Sequence, residues 1–197
     1  MTFEGMSASI QWPQRLTTRR LVVRPFMTAD HDAWLEGFAP DSPSGGAASV
    51  AVATGAPRVW FRALCARHRQ LWRRDRVYIL GIFDKHSGCH YGHLDIAIHE
   101  RGTRQWANLG YAVHSHWQRK GIATEACRAA IPWAFSKLGL HRLEVVITLS
   151  NKASIALAKK LGLEKECIRR SFEFDSGGWK DQVVYVAIKG RWKLKPA

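Results

Sequence analysis

Residues His114–Ala126 read HSHWQRKGIATEA and lie between an apolar segment, WANLGYAV (106–113), and a run of alanines and aromatic residues with helical spacing. The apolar segment predicts a strand, and the run after Gly121 predicts a helix. Small residues at Gly121 and Ala123 let a ligand approach the backbone closely at this turn. Unpaired N–H groups and the positive end of the helix dipole favour an anion such as a pyrophosphate, and residues 118–120 add donors and charge.

This turn matches neither of the two best-known phosphate-binding loops. It lacks the G-x-x-x-x-G-K-[ST] spacing of nucleoside triphosphate loops and the G-x-G-x-x-G spacing of dinucleotide sites. A second polar motif follows the next predicted strand, where Asn151 and Ser154 open a helix in LSNKASIALAKKLGL (149–163). Ser150 or Asn151 can cap this helix. The same helix start also lies where a ligand on the preceding loop could extend.

Predicted strands and helices alternate around these two motifs. Strands are predicted at residues 21–25, 77–83, 91–98, 107–113, 143–147, 167–174 and 183–188, and helices at 28–38, 57–76, 122–138 and 153–161. Thr28 is predicted to cap the first helix, and Pro132 to kink the third. The turns DKHSG and ERGTRQ favour antiparallel hairpins, and the later strand–helix–strand order adds a crossover. The chain is therefore predicted to be a single mixed α/β domain over residues 1–197, with flexible ends at 1–15 and 190–197.

Charge and composition limit the classes of partner. Thirty Lys and Arg against sixteen Asp and Glu give a net charge of +14, which favours nucleic acid, an acidic protein or a polyphosphate cofactor. The arginines of helix 57–76 fall largely on one face, either as a solvated face or as a docking surface. The loop 41–57, rich in Gly, Ala and Ser, has the length of a functional loop, but its role stays open. No apolar run approaches the about 20 residues of a membrane span, and no secretory signal precedes the domain, so a cytoplasmic location is predicted.

Cysteine and histidine patterns do not predict a metal site. The four cysteines show no C-x-x-C pair and are predicted to be reduced thiols; they are Cys65, Cys89, Cys127 and Cys167. The sequence HSH at 114–116, together with His90 and His93, fits no zinc-ligand spacing. No metal is therefore expected.

Five segments together carry a wider resemblance. They are LTTRRLVVRPF (16–26), LGYAVHSHWQRKGIATEA (109–126), FSKLGLHRLEVVI (135–147), NKASIALAKKLGL (151–163) and DQVVY (181–185). In this combination the chain resembles the GCN5-related N-acetyltransferases (GNAT), specifically the Rim-type branch that acetylates the N-termini of ribosomal proteins. The resemblance implies a mostly antiparallel twisted sheet of about seven strands with about four helices, splayed between the fourth and fifth strands. It also implies direct transfer of an acetyl group from acetyl-CoA to an amine.

The same resemblance assigns roles to the two motifs. The backbone of Val113–Ser115 would pair with the pantetheine arm like an added strand, and residues 118–123 would cradle the pyrophosphate. Asn151 would hydrogen-bond the cofactor arm, and Ser154 would stabilise or protonate the leaving thiolate. The expected cofactor-binding residues are Val113, His114, Ser115, Gln118, Arg119, Lys120, Gly121, Ile122, Ala123, Thr124, Asn151 and Ser154.

A dedicated general base is missing from the strand where many enzymes of this class carry a glutamate. The corresponding stretch here is ANLGYAV, with Asn108 and no carboxylate. The other candidate carboxylates are Asp95, Glu100, Glu125 and Glu144. Strand alternation lets Asp95 face a cleft and makes it the candidate base, whereas structural ion pairs are expected for Glu125 and Glu144. Without a base, proton transfer to water suits an α-amine, with a pKa of about 7.7–8.0, better than a lysine amine near about 10.4.

The leading interpretation is a protein N-terminal acetyltransferase, acting as a monomer or homodimer. A basic enzyme would be attracted to an acidic ribosomal protein or to the ribosome. The alternative is an acetyltransferase for small amines, amino acids or antibiotics. For either acceptor, Trp34, Trp60 and Trp179 lie on segments that could frame the pocket, whereas core packing explains most of the nine tryptophans. A non-catalytic acyl-CoA-binding protein or an RNA-binding module is disfavoured, because both cofactor motifs are intact and no aromatic RNA-binding signature is present.

Overall fold

The computed structural model describes residue 12, residues 14–37 and residues 57–194. The predicted loop 41–57 lies outside the described residues except for Pro57. Four helices are described: α1 (His31–Gly37), α2 (Arg58–Arg73), α3 (Ile122–Ser136) and α4 (Lys152–Lys160). The described strands are β1 (Leu16–Thr17), β2 (Leu21–Arg24), β3 (Val77–Asp84), β4 (His90–Glu100), β5 (Trp106–Val113), β6 (Arg142–Thr148), β7 (Glu164–Asp175) and β8 (Gly178–Ile188). Short 3₁₀ turns at Thr28–Asp30 and Ser115–Trp117 precede α1 and α3.

The eight strands form one sheet in the order β1-β2-β3-β4-β5-β6-β8-β7. Every neighbouring pair is antiparallel except β5 and β6, which are parallel. The mostly antiparallel mixed α/β fold is therefore confirmed. The count exceeds the predicted seven because the two-residue strand β1 pairs with β2 at the sheet edge. The splay predicted between the fourth and fifth strands lies between β5 and β6 in this numbering, since β1 raises the count by one.

The splay is visible in the strand register. Pairing between β5 and β6 covers only residues 106–108 with 142–144, although β5 continues to Val113 and β6 to Thr148. Beyond Asn108 the two strands separate, and the sheet opens into a V. On its other side β5 stays paired with β4 over its whole length.

Two apolar clusters hold the helices on opposite faces of the sheet. The larger cluster packs α3 and α4 against strand residues such as Leu80, Ile96 and Leu143. The smaller one joins α1 and α2 to the sheet and consists of Phe26, Trp34, Phe61, Cys65 and Phe83. Successive residues of β3 alternate between the two clusters, as the period of two in a strand requires.

Several helix bounds differ from the sequence prediction; α2, for example, ends at Arg73, three residues before its predicted end. The prediction that Thr28 caps the first helix is wrong, because Met27 precedes the 3₁₀ turn and its N–H donates to Asp30 Oδ2 at 2.7 Å. An acidic side chain in the first turn thus takes the role expected of the threonine hydroxyl. Helix α3 ends at Ser136, two residues before the predicted end, and it continues through Pro132. Among the described helices, none has the length and apolarity that crossing a bilayer requires.

Tryptophans from both terminal segments pack against the domain. Trp12 meets the Trp72 ring edge-on, with ring centroids 5.0 Å apart. Trp192 packs beside Phe135, and its Nε1 donates to the Leu161 carbonyl at 3.0 Å. These contacts extend the core beyond the elements that the sequence pattern predicts.

Candidate active site

The open end of β5 presents a strand edge that no described strand covers. Its residues pair with β4 through Gly92↔Val113 at the tip, but beyond Asn108 they have no register with β6. Gly92 has a φ of +151°, and a Cβ there would lie 2.1 Å from the Ala112 carbonyl oxygen, so β4 approaches this tip too closely for a side chain. A free strand edge can bind amide groups by strand addition.

The loop after β5 forms an uncapped helix N-terminus. Gly121 adopts a left-handed conformation with a φ of +77°, and α3 begins after it without a side-chain cap. Arg119 also has a positive φ, of 60°, and residues 118–121 are exposed. The first N–H groups of a helix lack intrahelical acceptors, and here they open toward the exposed loop. This geometry supplies the N–H groups and the positive dipole end that an anion needs.

Neighbouring side chains hold this loop in place. Gln118 Nε2 donates to the Val113 carbonyl at 3.0 Å, which ties the loop to the strand tip. Glu125 accepts from Thr18 Oγ1 at 2.6 Å and from Arg20 Nε at 2.7 Å, and Arg20 Nη1 donates to the Lys120 carbonyl. Burial opposes ionisation of Glu125, but the bonds from Thr18 and Arg20 outweigh it and lower the pKa of the carboxyl. The predicted structural ion pair of Glu125 is thus confirmed.

A cavity of about 660 Å³ opens where β5 and β6 part. Its wall comes from β4, β5, β6, the β7–β8 hairpin and the start of α4; among the residues that line it are Ala97, His99, Trp106, Asn108, Tyr111, Thr148, Asn151, Ser154, Phe172 and Glu173. The volume falls within the range of ligand pockets in proteins. The cavity therefore lies beside the free strand edge and close to the second sequence motif.

The two residues of that motif are joined at the start of α4. Asn151 Oδ1 accepts from the Ser154 N–H at 3.0 Å, so Asn151 caps the helix. Tyr111 Oη donates to the Ser154 carbonyl at 3.5 Å and links β5 to α4 across the splay. Burial raises the pKa of the Tyr111 phenol to about 12, which keeps it a hydrogen-bond donor at neutral pH. Both Asn151 and Ser154 lie on the cavity wall.

The candidate carboxylates have different surroundings. Glu144 is 3% exposed and accepts from Arg142 and Arg169, so its predicted structural ion pair is confirmed. Glu100 pairs with Arg104 at 2.7 Å.

Asp95 is half-buried on the strand face that alternation predicts. A Cβ added to Gly110 would lie 2.6 Å from Asp95 Oδ1, so the carboxylate lies against the Gly110 backbone. Burial raises its pKa and His93 opposes that shift. Asp95 is not among the residues that line the cavity.

Glu173 on β7 is a cavity carboxylate that the sequence analysis missed. It is exposed at the cavity wall and accepts a hydrogen bond from Gln182 Nε2 on β8. A register shift between Arg169 and Glu173, with Ser171 at a φ of +45°, lies just before this position. The alternation in SFEFD was the available signal, but the register shift that precedes Glu173 is not visible in the sequence.

The histidines form a packed pair instead of a metal site. His114 Nε2 lies 3.1 Å from His90 Nδ1, and both rings are buried beside Gly37. Burial lowers the pKa of His114 to about 4 and that of His90 to about 3, so both are neutral at physiological pH. Within residues 14–37 and 57–194, no group of three or more His, Cys, Asp or Glu side chains is arranged to hold a metal ion.

The tryptophans proposed to frame an acceptor pocket are placed elsewhere. Trp34 is buried in the smaller core cluster, and neither Trp60 nor Trp179 lines the cavity; Trp179 pairs with Phe174 at the exposed hairpin. Trp106 lies on the cavity wall instead. None of the three lines this cavity, and a role for them in framing an acceptor pocket stays a prediction.

The site as a whole fits coenzyme A. The free edge of β5 can pair with the amides of a pantetheine arm, and the uncapped start of α3 can accept a pyrophosphate. When bound as acetyl-CoA, this group supplies an acetyl thioester. Its sulfur end would then lie near the cavity that contains Ser154.

Comparisons with known proteins agree with this geometry. The chain is 29% identical over 182 residues, 90% of its length and 92% of the relative, to the [ribosomal protein uS5]-alanine N-acetyltransferase of Escherichia coli. It is 32% identical over 127 residues, 64% of its length and 70% of the relative, to the probable N-acetyltransferase YjcK of Bacillus subtilis. The structure of Mycobacterium smegmatis RimJ in complex with CoA-disulfide superposes with a TM-score of 0.75 at 23% identity, covering 90% of this chain and 88% of that one. Residues 20–164 match the acetyltransferase (GNAT) domain, and the chain therefore belongs to the GNAT family of acetyl-CoA-dependent N-acetyltransferases.

Proposed function

We propose that this acetyltransferase modifies the N-terminal α-amine of a protein and that its acceptor is a ribosomal protein. The observation that carries the proposal is the likeness, over 90% of the chain, to an enzyme named for an alanine of ribosomal protein uS5. The open cavity of about 660 Å³ supports it, because an extended peptide end needs a groove that continues to the surface. The net charge of +14 would attract an acidic acceptor or the ribosome itself.

Acetyl-CoA would bind along the free strand edge and the start of α3. Val113, His114 and Ser115 would pair with the pantetheine arm through their backbone. Gln118–Thr124 would surround the pyrophosphate, with Gly121 and Ala123 giving close access to the N–H groups. Arg119 and Lys120 are exposed and add positive charge there.

Ser154 would stabilise the leaving thiolate. It lines the cavity at the start of α4, where its hydroxyl can donate to a sulfur held at the end of the pantetheine arm. The N–H groups at this helix start favour negative charge as well. A simple thiol has a pKa of about 8.5, so only modest general-acid help is needed.

The acceptor amine must lose its proton before or during attack on the thioester. An α-amine, with a pKa of about 7.7–8.0, is partly neutral at physiological pH, so it can react without a strong base. Glu173 is the carboxylate on the cavity wall and would receive the proton directly or through water. Asp95, whose pKa is raised by burial, is the alternative proton acceptor.

A comparison of two variants separates these carboxylates. If Glu173 receives the proton, Glu173→Gln lowers kcat even where the acceptor amine is neutral and changes the shape of the pH–rate profile, while Asp95→Asn changes neither. The reverse pattern assigns the role to Asp95. An unchanged profile in both variants means that water alone carries the proton.

The acceptor class is tested by turnover against a panel. The panel contains peptides with the N-terminal sequences of ribosomal proteins, polyamines, free amino acids and aminoglycosides, each with acetyl-CoA. We expect kcat/KM to be highest for a ribosomal-protein peptide with a free α-amine, and lost when that amine is blocked. A higher kcat/KM for an amino acid or an aminoglycoside would contradict the proposal and favour the small-molecule alternative.

We further propose that the protein acts in the cytoplasm, as a monomer or homodimer. Light scattering after size-exclusion chromatography distinguishes the two assembly states. Fractionation of the producing cell followed by immunoblotting tests the location.

A further inference from the structure

Two buried polar atoms, in side chains that line the cavity, have no hydrogen-bond partner among the described residues. Asn108 Oδ1 and Trp106 Nε1 are buried atoms without a hydrogen bond, and both residues line the cavity. They stand two positions apart on β5, so their side chains share one face of the sheet. Buried donors and acceptors are nearly always paired in folded proteins, and an orphaned pair on one wall points to a ligand.

The neighbouring groups explain why the protein does not satisfy these atoms itself. Asn108 is in register with Glu144 on β6, but the Glu144 carboxylate, which accepts from Arg142 and Arg169, has no hydrogen to donate to Asn108 Oδ1. The Trp106 ring stacks on His99, with centroids 4.6 Å apart and an interplanar angle of 29°, which holds the indole in place. The two orphaned atoms therefore belong to side chains two positions apart on β5, and neither atom has a hydrogen-bond partner among the described residues.

The position of the pair is that of an acceptor and not of the cofactor. Asn108 forms the last register pair between β5 and β6, so it stands at the vertex of the splay. The strand edge offered to the pantetheine arm begins beyond it. The end of the arm, and with it the thioester, would stop close to this vertex, where the acceptor amine must arrive.

The chemistry of the pair selects among possible acceptors. An indole N–H is only a donor, whereas a carboxamide offers one acceptor and two donor hydrogens, and rotation about its last bond exchanges their places. A peptide group supplies the matching N–H and carbonyl. A polyamine has no carbonyl, and a free amino acid would bring a carboxylate against the Asn108 oxygen.

We propose that Asn108 and Trp106 form a subsite for the first peptide group of the acceptor. Asn108 Oδ1 accepts from the N–H of the second acceptor residue, and Trp106 Nε1 donates to the carbonyl of the first. The inference rests on the proposed function, since it gives a structural basis for choosing a peptide. It also gives a role to Asn108, which stands where the family resemblance leads us to expect a general base.

A pair of matched acceptors tests this subsite. One is the tripeptide Ala-Ala-Gly amide, and the other is its analogue in which an ester oxygen replaces the first peptide N–H. The wild-type enzyme is expected to lose about 10-fold in kcat/KM on the ester, the effect of one hydrogen bond to a desolvated partner. In Asn108→Ala, kcat/KM on the peptide falls by about the same factor, and the ester is then no worse than the peptide.

Trp106→Phe removes the indole N–H together with the pyrrole ring and keeps an aromatic ring that can stack on His99. We expect it to lower kcat/KM for the peptide by about 5-fold while leaving the penalty for the ester in place. The KM for acetyl-CoA and the unfolding temperature serve as controls for a folded enzyme in both variants. Asn108→Gln, which retains the carboxamide, should recover part of the discrimination between peptide and ester.

The outcomes separate this inference from the proposed function. If the peptide is acetylated but the wild-type enzyme does not distinguish it from the ester, the subsite is overturned and the proposed function stands. An equal penalty for the ester in wild type and Asn108→Ala has the same meaning. If no peptide is acetylated while free alanine or a polyamine is, the proposed function fails and the subsite fails with it.

Discussion

Six consecutive residues, Gln118–Ala123, form the loop that we propose binds the pyrophosphate, whereas the cavity takes its wall from four parts of the sheet and the start of α4. In this proposal the loop binds the anion through backbone N–H groups, so its affinity depends on the backbone conformation and on the small residues there. The cavity works through side chains that meet only after the sheet has formed. Binding of acetyl-CoA should therefore depend on backbone geometry at one place, and acceptor choice on several distant side chains.

The largest expected effect is on the loop. Gly121→Glu puts a side chain on a left-handed residue and a negative charge where the pyrophosphate would lie. We expect the affinity for acetyl-CoA to fall by about 1000-fold, because a desolvated like charge and backbone strain act together. Titration calorimetry with CoA measures the loss.

Gly139→Glu is the matched control for this change. Gly139 is also left-handed, with a φ of +66°, and nothing lies within 4 Å of its missing Cβ, but it follows the far end of α3. It should lower stability without changing CoA affinity by more than about 2-fold. Equal losses of affinity in both variants would mean that strain and not the anion site is responsible.

A smaller effect is expected where the two regions meet. Ser154→Ala removes the hydroxyl proposed to donate to the thiolate, and kcat should fall by about 30-fold to 100-fold with little change in the KM for acetyl-CoA. Pre-steady-state turnover separates the chemical step from product release. Ser150→Ala, at an exposed turn residue of the same segment, is the control and should behave as wild type.

The support of the loop gives the next prediction. Glu125→Gln removes the negative charge that accepts hydrogen bonds from Thr18 and Arg20. We expect the free energy of unfolding to fall by roughly 2 kcal/mol. The KM for acetyl-CoA should rise because the loop loses its tie to the β1–β2 turn, while the KM for the acceptor stays unchanged. Urea unfolding measures the loss of stability, and steady-state kinetics measure the two KM values. A rise in the acceptor KM alone would contradict the proposal that the loop binds the cofactor and the cavity binds the acceptor.

The smallest effect concerns the buried histidine pair behind the strand tip. The pKa of His90 is about 3 in the folded protein, below its ordinary value, because of burial and the neighbouring imidazole of His114. In the unfolded chain His90 binds a proton that the folded protein excludes. The contribution of His90 to the free energy of unfolding is therefore complete above about pH 6.5, and it is lost as the pH falls toward the folded pKa. At pH 5.5 the cost is on the order of 1 kcal/mol.

Thermal unfolding across pH tests the histidine pair. His90→Phe should flatten the acid-side fall in stability, whereas His86→Ala, in the exposed β3–β4 turn, should leave it unchanged. A parallel fall in all three proteins would place the acid sensitivity elsewhere.

The sequence predicted the structure correctly where residues close together along the chain determine the conformation. The strand-to-helix turn at Gly121, the capping role of Asn151 and the alternation around Asp95 all follow from local patterns. The eighth strand was missed because two residues carry no periodicity and are ordered only by pairing with β2.

The acceptor side was less predictable for a physical reason. Glu173 reaches the cavity next to a register shift in β7, and Asn108 Oδ1 is buried opposite Glu144, a carboxylate that can only accept hydrogen bonds. Neither fact is encoded in spacing along the chain. Trp34 packs in the smaller core cluster, because an apolar ring suits a core as well as a pocket.

The most direct test of the central claim is the location of the acetyl group on a peptide that offers two amines. An alanine-initiated peptide with one internal lysine, incubated with enzyme and acetyl-CoA, is fragmented in a mass spectrometer. We predict acetylation of the α-amine alone, and its loss in Gly121→Glu but not in Gly139→Glu. Acetylation of the lysine side chain, or of neither amine while free amino acids are acetylated, would contradict the account.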